Sequence, residues 1–368
     1  MRITNNMTTR NYLSGLQANA ARLNRLSNQV GSGRRFDRMS EDTPSAVRAM
    51  QIRRRLDQIP SQLSNAKTVH SELRAAETSL MQISSINQSV HSRFIQAMNG
   101  DISVADRPAL ISDLHQMREQ MLTMANSEFA GRFLFGGTNT ITRPFELVRV
   151  IEGGVPMTDV NGTSLVDADG NLLPPVNGTA PGNGVLIRGA SGDMYALQYN
   201  GRWIHDMSDA DRELLTRGDT SFVDIGLSMR FNDTNIIQNS AFRNSLSGLD
   251  FMGTGDNNLI HLITDMINHI EAGFPDRNES GALLDRFLGA SSTANLMLTE
   301  IGALTNHLDF SIARLEDERD NLIRRQDDLE FIPREEAILM FKMQEFVYNA
   351  TLQMGQRLLQ PSLFNFIN

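Results

Sequence analysis

The seven histidines are the residues of this sequence most suited to acid–base chemistry or metal binding. They are scattered, and none belongs to a His-Glu-x-x-His motif. His261 and His269 are eight residues apart, about two helical turns, so they could share one helix face as a metal pair. We interpret both as packing or surface histidines, with the metal pair as the alternative.

Two other kinds of segment resemble sites. Asp167 to Asn171 is similar to a calcium loop, but its glycine comes two positions early and the closing glutamate is missing. The Asn-Gly-Thr triplets at Asn161 and Asn177 match a glycosylation acceptor. Asn-Gly and Asp-Gly favour tight hairpin turns, which explain these segments better. With no phosphate-binding glycine loop and no convergent acid, base and nucleophile, we expect no catalytic, cofactor-binding or metal-binding residues and no enzymatic activity.

Composition indicates a helical protein of more than one domain. The chain has 368 residues, of which 40% are hydrophobic and only 6% aromatic. A formal net charge of -9 argues against a nucleic-acid partner. The absence of cysteine excludes disulfides and thiolate chemistry. We expect no membrane span, and because the first thirty residues lack a cleaved secretory signal, any export must use another route.

Both ends of the sequence carry a narrow apolar seam with three-four spacing, which is typical of a coiled coil. Polar or small residues interrupt these seams at Asn19, Glu345 and Gly355, which leaves room for helices from neighbouring chains. We therefore predict a polymerising protein. The predicted assembly interface consists of Leu16, Leu23, Leu26, Val30, Ile338, Phe341, Tyr348, Leu352 and Leu359. The alternative is that the seams pack only against each other within one chain.

Helical spacing also runs from Ser45 to Met98, where Pro60 predicts a kink or a short break. A second helix is predicted to start near Asp106, and helical spacing returns at residues 259–270 and 283–329. Between them, residues 131–255 are rich in turn residues and short alternating runs, including the turn at Asn200-Gly201.

The fold class predicted from these elements is mainly α and nested. Residues 1–42 and 332–368 are predicted to form terminal coiled-coil helices, and residues 43–140 and 255–331 a long helical bundle. Residues 141–254 are predicted to form a small inserted β-rich domain. If the outermost segments pair with each other, a tube built from such subunits would have the terminal helices at its inner wall and the insertion outside.

Three parts of the sequence resemble the flagellin superfamily. The opening seven residues, residues 29–36 and residues 40–46 are similar to its amino-terminal signature. Residues 344–360 and the following Pro-Ser-Leu-Phe-Asn-Phe resemble its terminal helix and closing Ser-Leu. Residues 133–139 followed by Arg143-Pro144-Phe145 look like the segment that leads into the insertion of the hook-filament junction proteins of that superfamily.

The resemblance implies a flagellin-like fold and a structural subunit of the bacterial flagellum, one of a ring between hook and filament. It implies contacts with like subunits, with the first hook-filament junction protein, with flagellin or the filament cap, and with an export chaperone. It also implies secretion through the flagellar type III export apparatus to an extracellular location. A filament flagellin with a short variable domain is the nearest alternative, and a soluble coiled-coil adaptor with an acquired β domain is another.

Overall fold

The computed structural model describes residues 5–99, 105–152, 155–156, 186–188, 193–218, 220–227, 231–232, 235–236, 241–274 and 277–359. The chain divides into two compact units. Unit 1 comprises residues 1–61 and 314–368, and unit 2 comprises residues 62–313. The predicted division into three nested segments stays a prediction.

Helices dominate the described residues, which confirms the predicted mainly-α class. Their bounds are α1 (Asn5–Ser32), α2 (Thr43–Met98), α3 (Arg107–Ala125), α4 (Asp209–Gly218), α5 (Leu249–Met252), α6 (Leu259–Glu271), α7 (Arg277–Glu330) and α8 (Arg334–Leu359). The side chain of Asn258 caps α6 by accepting a hydrogen bond from the Ile260 amide at 3.0 Å. The unit boundaries fall within α2 and α7.

The strands are short and antiparallel. They are β1 (Glu128–Phe129), β2 (Arg132–Phe133), β3 (Phe145–Glu152), β4 (Val155–Pro156), β5 (Ile187–Arg188), β6 (Met194–Tyr199), β7 (Arg202–Trp203), β8 (Phe222–Val223), β9 (Phe231–Asn232), β10 (Asn235–Ile236) and β11 (Phe242–Arg243). The largest sheet has the order β4-β3-β6-β5, with β7 also paired to β6. Asn200 and Gly201 have positive φ angles of 47° and 79° between β6 and β7, which confirms the predicted tight turn.

The core of unit 2 lies along heptad positions of α2, where apolar side chains recur every three or four residues except at the buried Asn87. These are Ala66, Val69, Leu73, Ala76, Leu80, Ile83, Val90, Phe94 and Ala97. Apolar side chains of α3, α6 and α7 complete the same cluster, and α3 packs against α6. The sheet joins it through buried residues such as Leu197 and Tyr199.

Two helix boundaries differ from the expectation. Of the kink or short break predicted at Pro60, the break is wrong, because α2 continues through Pro60 without interruption. A kink there stays a prediction. Pro60 lies on the exposed side of α2, where water can reach the carbonyl that loses its helical partner. Helix α7 begins at Arg277, before the predicted start at Leu283, so Gly281 is inside it.

The helices in the described part of the chain include none whose length and hydropathy suit a membrane crossing. The predicted turns at Asn161, Asp169 and Asn177, with the calcium-like segment and both glycosylation triplets, lie outside the described residues.

Candidate assembly interface

Helices α1 and α8 pack against each other within unit 1. The residues of α1 that are half-buried follow a three-four spacing, as expected for a coiled-coil seam. They include Tyr12, Leu16, Asn19, Leu23, Leu26 and Val30. On α8 the same spacing is followed by Ala337, Phe341, Gln344, Tyr348, Thr351 and Gly355, all of them buried or half-buried. The seam is therefore apolar on α1 and largely small or polar on α8.

Asn19 makes the polar contacts between the two helices. Its Nδ2 donates to Oγ1 of Thr351 at 3.1 Å. The Nε2 of Gln344 approaches both the backbone carbonyl and Oδ1 of Asn19 at 3.4 Å. Asn19 is therefore not a gap in the seam, because its side chain is matched by polar groups of α8.

Gly355 admits the ring of Tyr12. A Cβ added at Gly355 would overlap the Tyr12 hydroxyl and would lie 3.0 Å from Cε1 of the same ring. Only glycine leaves space for this approach without a shift of the Tyr12 side chain. Glu345, the third predicted interruption, is half-buried and forms an ion pair with Lys342 of the same helix at 2.9 Å.

The antiparallel register is also fixed where α1 ends and α8 begins. The Ile332 amide donates to the Gly33 carbonyl at 3.0 Å, and the Arg35 amide donates to the Glu330 carbonyl at 2.7 Å. The carboxylate of Glu330 is itself buried and accepts from Nε of Arg53 at 2.8 Å. This end of the pair is held by backbone hydrogen bonds and by a charge-assisted pair.

The nine predicted interface residues fall into three groups. Leu16, Leu23, Leu26, Val30, Phe341 and Tyr348 are half-buried on the seam positions of α1 and α8. Ile338 and Leu352 are exposed and lie off that seam. The side chain of Leu359 lies outside the described residues. A role for any of them between subunits stays a prediction.

A second apolar row on α8 was missed by the sequence analysis. Leu339, Met343, Phe346 and Met354 are 62%, 63%, 75% and 64% exposed, and they repeat at intervals of three, four or eight residues. Met340 and Val347 extend the row on one side and are also exposed. The spacing was readable, but α8 is apolar on more than one face, so periodicity alone did not single out this row. We call Leu339, Met343, Phe346 and Met354 the outer row.

The histidine pair does not form a site. The ring Nδ1 of His261 lies 2.9 Å from the Gly255 carbonyl, whereas that of His269 lies 3.0 Å from the Asp265 carbonyl. Burial lowers the pKa of His261 to about 4. Within the described ranges, no three His, Asp or Glu side chains are grouped so that they could hold a metal ion. His261 is buried and His269 is half-buried, and their interpretation as packing or surface histidines stays a prediction.

The segment after α3 ties the helices of unit 2 to the sheet. Phe135 and Phe145 are fully buried. The ring centroids of Phe135 and Phe251 are 4.7 Å apart, and those of Phe145 and Tyr199 are 5.0 Å apart. The side chain of Asn126 brackets Phe145, donating to its carbonyl and accepting from its amide, both at 2.9 Å. The segment from residue 133 to residue 145 therefore has a structural role.

Comparisons with known proteins agree with this architecture. Residues 3–140 match the family described as the bacterial flagellin N-terminal helical region. The chain is 30% identical over 148 residues to flagellar hook-associated protein 3 of Salmonella typhimurium, covering 40% of this chain and 46% of that protein. It is 29% identical over 147 residues to flagellar hook-associated protein 3 of Escherichia coli, covering 39% and 46%. The match thus spans about half the length of these curated relatives.

A solved structure extends the likeness in fold over more of the chain. It is described as a flagellar hook-associated protein from Vibrio parahaemolyticus, and it covers 79% of this chain and 100% of its own. The TM-score is 0.51 at 17% sequence identity, so the likeness concerns the fold. The family match and the two curated relatives confirm the resemblance seen in the sequence.

Proposed function

We propose that this chain is a member of the flagellin superfamily and a structural subunit of the bacterial flagellum at the junction between hook and filament. It adapts one tubular lattice to the other by packing its terminal helices against those of neighbouring subunits. The relatives that it resembles are named as flagellar proteins. The function is therefore structural and not enzymatic.

The outer row of α8 is the observation that carries this proposal. α1 occupies the opposite side of α8 and leaves four large apolar side chains facing solvent. Exposed apolar rows of this kind mark interaction surfaces in soluble proteins. Burying one such side chain fully stabilises an interface by about 1.5–3 kcal/mol, so four can offset much of the ordering cost of assembly.

Within this proposal, the partners are like subunits in a ring, the first hook-filament junction protein on one side, and flagellin or the filament cap on the other. A flagellar chaperone escorts the chain before export. Delivery is through the flagellar export apparatus to the outside of the cell. The named relatives support the flagellar setting, and the two-faced α8 supports contacts with more than one helix.

The proposal is tested by charging the outer row. Phe346→Asp places a carboxylate on the row, and Leu352→Asp does so at a predicted interface residue that is also exposed. Both variants are expected in the culture medium but not at the junction, because a buried unpaired carboxylate opposes packing. Asn349→Asp is the matched control, since Asn349 is exposed and already polar. Incorporation of Phe346→Asp at the control level would contradict the proposed interface.

A filament flagellin is the second candidate function, since the matched family region is that of flagellin itself. Immunogold labelling of intact flagella with antibody against residues 141–254 separates the two. A single labelled band where hook meets filament supports the junction role. Labelling along the whole shaft identifies a filament protein, and labelling confined to the cytoplasm contradicts export.

A further inference from the structure

The less hydrophobic face of α8 is the one that packs against α1, and hydrophobicity alone does not explain this choice. The face turned toward α1 contains Ala337, Gln344, Thr351 and Gly355 among its six seam positions. The four large apolar side chains of the outer row face solvent instead. A leucine-rich seam on α1 would bury more apolar surface against the outer row than against these residues.

Rotation of α8 about its own axis would make that exchange. Successive helical residues are about 100° apart, so Phe346 lies about 200° around the helix from Gln344. Turning α8 by about half a turn would bring the outer row onto Leu16, Leu23 and Leu26 of the same chain. The row would then be hidden from any neighbouring subunit.

We propose that Asn19 and Gly355 are orientation determinants that keep α8 turned so that its outer row stays available. In the observed orientation, the Asn19 amide is paired with Thr351 at 3.1 Å and lies 3.4 Å from Gln344. In the rotated orientation it would face Met343 and Phe346 and lose these partners, which is costly for a polar group inside an apolar seam.

Gly355 acts on the same choice through shape. Its missing side chain forms the notch that receives the Tyr12 ring, and no other seam position of α8 is a glycine. Rotation would remove the notch from the path of Tyr12 and leave the ring against larger side chains. A polar seam residue and a single notch thus specify one orientation at some cost in stability, as buried polar residues do in coiled coils.

This inference rests on the proposed function in one respect, because the outer row matters only if neighbouring subunits bind it. Asn19→Leu is expected to remove the penalty on the rotated orientation. The helix pair then gains apolar burial, while the subunit loses the surface that it needs for assembly. Asn24→Leu is the matched control, since Asn24 is an exposed asparagine of the same helix.

The orientation is measured by disulfide cross-linking, for which the cysteine-free chain is a clean background. One double variant joins Leu23→Cys with Gln344→Cys, which are on facing seam positions. The other joins Leu23→Cys with Met343→Cys, which is on the outer row. The readout is the ratio of the two cross-linking yields in the full-length chain, so partial unfolding of the terminal helices affects both alike.

The first pair is expected to dominate in the natural sequence and in Asn24→Leu. In Asn19→Leu, the ratio is expected to fall about tenfold in favour of the Met343 pair, with loss of incorporation at the junction. Gly355→Ala, which fills the notch, is expected to shift the ratio in the same direction. An unchanged ratio in both Asn19→Leu and Gly355→Ala would overturn the inference, whatever their assembly.

The ratio is independent of the flagellar role. If immunogold labelling is absent from the junction while Asn19→Leu still lowers the ratio, the proposed function fails and the orientation assignment stands. If Phe346→Asp fails to assemble and the ratio does not move, the function stands and the orientation assignment fails.

Discussion

Two asparagines occupy heptad seams of this chain, but only one of them has hydrogen-bond partners for its side-chain amide. Asn19 in α1 finds Thr351 and Gln344 across the seam. Asn87 in α2 is almost fully buried, and neither its Oδ1 nor its Nδ2 has a hydrogen-bond partner among the described residues. The same residue type therefore specifies a pairing at one position and only costs stability at the other.

Buried ionisable residues around α6 give a pH dependence that partly cancels. Burial lowers the pKa of His261 to about 4 from an ordinary 6.5, and it raises the pKa of Asp265 to about 6 from 3.8. Below pH 6.5 the unfolded chain takes up the His261 proton first, so stability falls toward pH 4. Below pH 6 the folded chain takes up the Asp265 proton first, so stability rises over much of the same range.

Asp265→Asn is therefore expected to make the protein more sensitive to acid. The His261 contribution, about 3 kcal/mol between pH 6.5 and 4, is then no longer opposed by Asp265. Burial also lowers the pKa of the nearby His205, which adds to the loss in the same direction. The measurement is the free energy of unfolding by urea at several values from pH 7.5 to 4.5. Parallel pH profiles for the two proteins would contradict the compensation.

At the scale of elements, α2 shows how tertiary packing overrides a local signal. Proline removes a helical hydrogen bond and clashes with the preceding turn, which predicts a kink or a short break at Pro60. The helix instead runs for 56 residues without interruption. The neighbouring Ile59 is fully buried, and packing of this kind keeps the helix continuous despite the local cost.

Pro60→Ala is accordingly expected to stabilise the protein. The substitution restores the missing backbone hydrogen bond in an exposed helix interior, and the gain is on the order of 1–3 kcal/mol. Pro108→Ala is the matched control, because Pro108 lies in the first turn of α3, where proline costs little. Thermal unfolding followed by circular dichroism measures both. A gain equal to that of the control would show that Pro60 carries no helix penalty.

In the whole molecule, the pair formed by the terminal helices α1 and α8 has its own, limited source of stability. α1 and α8 contain 28 and 26 residues and bury only a narrow seam between them. A two-helix coil of this size is a modest source of stability. We therefore expect both helices to be only partly formed in the free chain and completed by neighbouring subunits.

Circular dichroism of the full chain and of a chain lacking residues 1–40 and 335–368 tests this expectation. The helical content lost on truncation is expected to be clearly less than that of the two complete helices. In assembled flagella, the helical content of the two terminal helices is expected to approach that of complete helices. A loss that equals both helices in the free chain would mean that assembly adds no helix.

Sequence alone predicts the mainly-α class, the seam of α1, the tight turn at Asn200-Gly201 and the flagellin-like signatures. Each depends on local spacing or on a short motif, so no knowledge of distant contacts was needed. The positions of the predicted interface residues of α1, from Leu16 to Val30, were likewise readable from a single clear heptad face.

The face of α8 that turns inward could be found only from its contacts with α1. That helix is apolar around much of its circumference, so several seams fit its periodicity equally well. The choice depends on groups far away in sequence, since Asn19 pairs with Thr351 and Tyr12 enters the notch at Gly355. Long-range pairing of polar and small residues, and not hydrophobic spacing, therefore left the outer row exposed.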